Sequence, residues 1–130
     1  MGAQEDVALV RRGYEAFIAG DMDTLRGLFT DDAVWHTSGT GGLSGDKKGV
    51  GEILAYFGEL FSRSQGSLKL TLDDVAAGDR YTVGVQSNHA ERDGRSLDQR
   101  SVIVFTISGG KVAEALEIAE DTAQASQFWS

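Results

Sequence analysis

The chain has 130 residues, 41% of them hydrophobic, and a formal charge of -8. That length supports one buried core, while the acidic balance disfavours a surface that grips nucleic-acid phosphates or anionic membranes. Cysteine is absent, which removes disulfides and thiolate chemistry, and proline is absent, which leaves turns to Gly, Asp, Asn and Ser.

The first residues, Met1 to Asp6, show neither the basic nor the apolar segment of a leader, and no apolar run reaches spanning length. Asp6 stands where a myristoylation signal needs Ser or Thr. A soluble cytoplasmic protein is the expectation. Val7, Val10, Tyr14, Phe17 and Ile18 recur at helical steps, with Gly20 as the left-handed stop and Asp21 as the next N-cap. A short second helix buries Leu25, Leu28 and Phe29 and is predicted to stop at Asp31-Asp32. Residues 33–37 read as a strand, and 38–49 as a loop rich in Gly and Ser, of which 39–45 is expected to form a mobile rim over the pocket.

Val50, Ile53, Leu54, Phe57, Leu60 and Phe61 define a third helix, which Gly51 and Gly58 weaken by about 1 kcal/mol each. From Ser67 the period becomes two, with Leu68, Leu70 and Leu72 alternating, then Tyr81, Val83 and Val85. Gly78-Asp79, Asp93-Gly94 and Gly109-Gly110 are hairpin turns. The run from Ser96 to Ser108 is apolar on both faces between Val102 and Ile107, as in a central strand covered on both sides. A last strand, 111–119, leads through Glu120-Asp121 into a tail ending Phe128-Trp129-Ser130. Helices followed by hairpin-linked strands predict an α+β fold with a largely antiparallel sheet, in one domain over 1–130.

Several strings, in order, resemble the SnoaL-like branch of the nuclear-transport-factor-like superfamily, which includes ketosteroid isomerase. They are Tyr14-Glu-Ala-Phe with Ala19-Gly20-Asp21, Leu28-Phe29-Thr-Asp-Asp-Ala33-Val-Trp35-His36, and Ser38-Gly39 through Leu43-Ser44-Gly45. Gly109-Gly110-Lys111-Val112 and Glu120-Asp121 with Gln127-Phe128-Trp129 complete the set. The resemblance implies a cone-shaped α+β barrel, its strongly curved sheet wrapped around N-terminal helices and enclosing an apolar pocket. It also implies a homodimer through the outer sheet face.

By the same resemblance, Asp121 corresponds to the general base of polyketide cyclases; as a residue it equally reads as an N-cap. The isomerase base falls at Thr37 and its oxyanion aspartate near Ile103, so steroid isomerisation is not expected. Tyr14 is a near counterpart of the oxyanion tyrosine and a candidate donor to a carbonyl. His36 and His89 are the two imidazoles and candidate proton carriers, or else solvated side chains. Trp35 is expected to point inward, with His36 opposite. Phe17, Trp35, Leu43, Ile53, Phe57, Phe105, Phe128 and Trp129 are the candidate ligand contacts. No His or carboxylate spacing favours a metal, the loop 39–45 misses the phosphate-binding patterns, and no cofactor is expected. The turn Glu91–Arg95 reads as solvated.

These expectations add up to a binder of a small apolar carbonyl compound, polyketide- or terpenoid-like. Its chemistry would be cofactor-independent isomerisation, cyclisation or dehydration. A non-catalytic binding or dimerisation module is the alternative. Epoxide hydrolysis is a weaker one, since Arg100 near Asp98 only faintly echoes the Asp–Arg–Asp relay it needs.

Overall fold

The computed structural model describes residues 2–130. Helix α1 spans Ala3–Ala19 and ends on Gly20, whose positive φ lets its N–H return to the Ala16 and Phe17 carbonyls. Asp21 caps α2, Met22–Leu28, by accepting from the Thr24 N–H at 3.1 Å. Strand β1 follows directly as Phe29–Thr37, and a short strand β2, Gly45–Lys48, precedes helix α3, Val50–Arg63. Then come β3 (Lys69–Ala77), β4 (Thr82–Arg92), β5 (Arg95–Ser108), β6 (Lys111–Ala119) and helix α4 (Thr122–Trp129).

The six strands form one open sheet in the order β2-β1-β6-β5-β4-β3, so β2 and β3 are free edges and the barrel is not closed. All neighbours are antiparallel except β1 and β6, which run parallel, the chain returning beside β1 only after four intervening strands. Register breaks between Phe29 and Val34, Leu72 and Asp74, and Thr106 and Ile107 bend the sheet around α1 and α3. The inner face meets those helices in the main core, with Ile53 fully buried and Phe17, Trp35, Phe57 and Phe105 around it. Phe17 and Trp35 both meet Phe57 edge-on, at centroid distances of 5.2 and 5.1 Å.

Four local expectations are corrected. Asp31 and Asp32 do not end α2; they lie exposed within β1, in its irregular stretch, where the bulge turns both to solvent. Residues 45–48 leave the predicted loop and pair with β1, Lys47 opposite Trp35. Tyr81 lies just before β4 and is exposed. Strand β5 is central, as expected, but its outer residues Val102 and Val104 stay half-buried, because the packed helices meet the other face.

Candidate functional site

Between α1, α3 and the concave face of the sheet lies a cavity of two lobes. The apolar lobe is walled by Phe17, Leu25, Trp35, Phe57 and Phe105, with Tyr14 reaching in from α1. The second lobe is more polar, walled by Thr37, Asn88, Gln99 and Ser101 and roofed by Leu43, Ser126 and Trp129. Tyr56, Leu60, Leu70, Gln86 and Glu117 belong to both, so the lobes meet there.

Glu117 is the carboxylate of this junction. It sits on β6 in register with Ile103 of β5 and Thr37 of β1. These are the two positions where the resemblance finds isomerase carboxylates missing. Its Oε1 accepts two hydrogen bonds, from Trp35 Nε1 at 3.0 Å and from the Tyr56 hydroxyl at 2.6 Å. Both donors converge on one oxygen. Oε2 has no hydrogen-bond partner among the described residues. Burial, then the Glu117 charge, raises Tyr56 well above the ordinary phenol range, so it stays a protonated donor. Lys47 stands over the Tyr56 ring, 4.3 Å from its centroid, and is anchored to the Leu43 and Gly45 carbonyls. Burial lowers its pKa, against the opposing pull of Glu117 and Asp46.

On the other side of the junction the Tyr14 hydroxyl donates to Gln86 Oε1 at 2.5 Å. Gln86 Nε2 donates to Asn88 Oδ1 at 2.7 Å, and Asn88 Nδ2 to Ser101 Oγ at 2.8 Å. Alternation on β4 puts Gln86 and Asn88 on the inner face, and Ser101 is the cross-strand partner of Gln86. Gly84, two residues earlier, leaves the space that the Tyr14 ring fills; a Cβ there would lie 3.0 Å from its hydroxyl. Burial, then the Glu117 charge, raises Tyr14 well above the ordinary phenol value and keeps it neutral.

A sequence profile of the SnoaL-like domain family matches residues 10–115. The chain belongs to the SnoaL-like family, within the nuclear-transport-factor-like superfamily. An uncharacterized protein of Mycobacterium tuberculosis is 33% identical over 126 residues, covering 96% of each chain. Bal32a, from a soil-derived mobile gene cassette, shares 39% identity and superposes with a TM-score of 0.95 over 98% of each chain. TerC, co-crystallized with polyporic acid, shares the fold at 17% identity and TM-score 0.83, over 96% of this chain and 98% of that one.

In this SnoaL-like chain the expected site residues divide. Tyr14, Phe17, Trp35, Phe57 and Phe105 line the apolar lobe, and Leu43 and Trp129 the polar one. Ile53 does not reach the cavity; it is sealed in the core. Phe128 is buried in a separate cluster with Ala90 and Leu97. Asp121 is exposed, caps α4 by accepting from the Gln124 N–H at 3.0 Å, and lines neither lobe.

Both histidines face away from the cavity. His36 bridges Asp46 and Glu114 at 2.6 and 2.7 Å, and His89 contacts Asp98 at 2.6 Å. Strands β6 and β5 separate them, so they cannot share one ion. Arg100 pairs with Glu120 at 3.4 Å, outside the cavity, so it supplies no relay for epoxide opening.

The loop over the polar lobe is tied down to α4, with the Thr40 N–H donating to Ser126 Oγ at 3.2 Å. Arg92, expected in a solvated turn, donates to the Phe128 and Ser130 carbonyls at 2.8 and 2.7 Å. Sequence reasoning passed over Glu117, Gln86 and Asn88. The available signal was a carboxylate in step with the small residues Ala115 and Ala119 on one strand face.

Proposed function

We propose that this SnoaL-like chain binds a small, largely apolar carbonyl compound of polyketide- or terpenoid-like character and moves a proton on it without a cofactor. Glu117 is the base. The observation that carries this reading is the one-sided clamp: Trp35 and Tyr56 hold Oε1, while Oε2 is left open at the junction of the lobes. In the reaction Oε2 takes a proton from the carbon next to the carbonyl. The C–H pair moves into the enolate, whose charge gathers on oxygen, and Tyr14 is the hydroxyl that meets that oxygen in the apolar lobe. Returning the proton to another carbon completes an isomerisation; attack of the enolate on a second carbonyl closes a ring. The aromatic walls suit a flat ring system rather than a sugar.

The test is α-deuterium exchange of 2-tetralone in heavy water, followed by proton NMR. Wild type should accelerate exchange, and Glu117→Gln should lose about 10²-fold or more of that acceleration. Equal rates for the two proteins would remove the base assignment. One observation favours a second reading, binding without catalysis: a carboxylate with two donors is also what a satisfied structural group looks like.

The outer sheet face supports a further part of the proposal, a homodimer formed through it. Leu116 and Ile118 are 40% and 43% exposed there, beside half-buried Val102 and Val104.

A further inference from the structure

The chain Tyr14–Gln86–Asn88–Ser101 spans the cavity from one lobe to the other. Tyr14 lines the apolar lobe and not the polar one, while Asn88 and Ser101 line the polar lobe and not the apolar one. Its members are a hydroxyl, two carboxamides and a hydroxyl, at 2.5, 2.7 and 2.8 Å. A carboxamide carries a donor and an acceptor side, and a hydroxyl can act as either. The same distances therefore serve two directions of donation.

In the first direction Tyr14 donates to Gln86, Gln86 to Asn88, and Asn88 to Ser101. The Ser101 proton is then left over, with no protein acceptor among the described residues. In the second direction Ser101 donates to Asn88, Asn88 to Gln86, and Gln86 to Tyr14. Both amides have turned over, and the left-over proton is now on Tyr14, pointing into the apolar lobe. Whichever way the chain runs, one hydroxyl proton lacks a partner, and it lies at opposite ends of the cavity in the two cases. An unmet donor or acceptor in so enclosed a place is costly, so a ligand that satisfies one end fixes the other.

We propose that this chain of four side chains is a reversible hydrogen-bond wire through which the cavity selects a bifunctional ligand, with a carbonyl in the apolar lobe and a hydroxyl or N–H in the polar lobe. The carbonyl takes the Tyr14 proton, which sets the second direction and turns the lone pairs of Ser101 toward the ligand's own donor. Asn88 thereby acts on the carbonyl without touching it, as a positioning residue. The inference rests on the reading of the cavity as a ligand site and deepens it.

Asn88→Asp tests the wire. A carboxylate at 88 only accepts, so Gln86 and Ser101 must both donate to it. The Gln86 carbonyl is then turned to Tyr14 and holds its proton. The probes are 2-acetylnaphthalene, an acceptor, and 2-naphthol, a donor, titrated by fluorescence against wild type, Asn88→Asp, Tyr14→Phe and the double variant. Thermal unfolding confirms that each variant is folded. Asn88→Asp should weaken 2-acetylnaphthalene relative to 2-naphthol by about tenfold, one hydrogen bond's worth. In the Tyr14→Phe background that change in ratio should vanish.

A ratio unchanged by Asn88→Asp, or one that changes equally without the Tyr14 hydroxyl, overturns the wire while leaving the ligand site standing. Failure of both probes to bind wild type overturns the ligand site and the wire together. If Asn88→Asp does not fold, Asn88→Leu replaces it. Cutting the wire there should abolish the coupling between Tyr14→Phe and Ser101→Ala in 6-acetyl-2-naphthol binding, and additive effects in wild type overturn the proposal.

Discussion

His36 shows how far a residue's type can mislead about its work. An imidazole beside a pocket tryptophan invites a catalytic role, yet strand alternation turns it to the outer face between Asp46 and Glu114. Its hydrogen bonds to Asp46 and Glu114 raise its pKa above the ordinary 6.5, despite some opposition from burial. A raised folded-state value means that the charged ring stabilises the fold fully below pH 6.5 and that this contribution fades as pH climbs through the folded value. The stability lost in His36→Gln should therefore shrink as pH rises from about 6 to about 9, measured by urea unfolding against wild type. A gap that widens with pH would contradict the bridge.

Trp35 and Tyr14, by contrast, were legible as inward aromatics, because bulk and apolar stripe both point them to the core. Asp121 was legible only as a cap: its place before a helix was visible, its distance from the cavity was not.

At the scale of elements the helices and turns were readable, since Gly20, Asp21, Asp93-Gly94 and Gly109-Gly110 are local devices with local causes. Asp93 and Gly94 have φ of 51° and 78°, and Gly109 and Gly110 of 60° and 79°, as tight hairpins of this twist require. The strand faces were harder. Val112 points inward, and a strict period of two from it would turn Leu116 and Ile118 inward with it, an arrangement apolar residues make inviting. The register break opposite Thr106 and Ile107 makes Ala113 an extra residue, and beyond it the inward set becomes Ala115, Glu117 and Ala119. Sequence carries no plain mark of that bulge, so Glu117 was hidden by it.

Helix α4 depends on another close fit. A Cβ on Gly41 would lie 2.4 Å from the Ser126 carbonyl oxygen and 2.7 Å from its Cα. Gly41→Ala should cost about 1–3 kcal/mol by thermal or urea unfolding, because backbone must move. Gly58 faces open space on the solvent side of α3, and Gly58→Ala should stabilise by up to about 1 kcal/mol in the same assay.

For the whole molecule, the sheet divides two kinds of surface. Its concave side meets the helices and holds the cavity, while its convex side leaves Leu116 and Ile118 in solvent in the isolated chain. Among the described residues no helix is long and apolar enough to cross a membrane. Replacing both residues, Leu116→Glu with Ile118→Glu, should halve the mass seen by light scattering while leaving the far-ultraviolet spectrum unchanged, if the proposed dimer uses this face. An unchanged mass would place any association elsewhere. The general fold was legible because it follows from the order of helices and hairpins; the faces of the sheet were not, because they depend on bulges.

The extra residue at Ala113 has one more consequence. It makes the identity of the cavity a matter of odd and even. Downstream of it, neighbours in sequence live in opposite worlds: Glu117 in the pocket, Leu116 and Ile118 against solvent. Deleting that single alanine would only remove the bulge, since Val112, Ala115, Glu117 and Ala119 would then share one face by plain alternation. One residue added between Ala115 and Leu116 would instead exchange the two populations, sending the carboxylate outside and closing the junction with leucine and isoleucine. A change of length by one, with no change of composition at the site, is thus enough to convert a chemically equipped pocket into a purely greasy one.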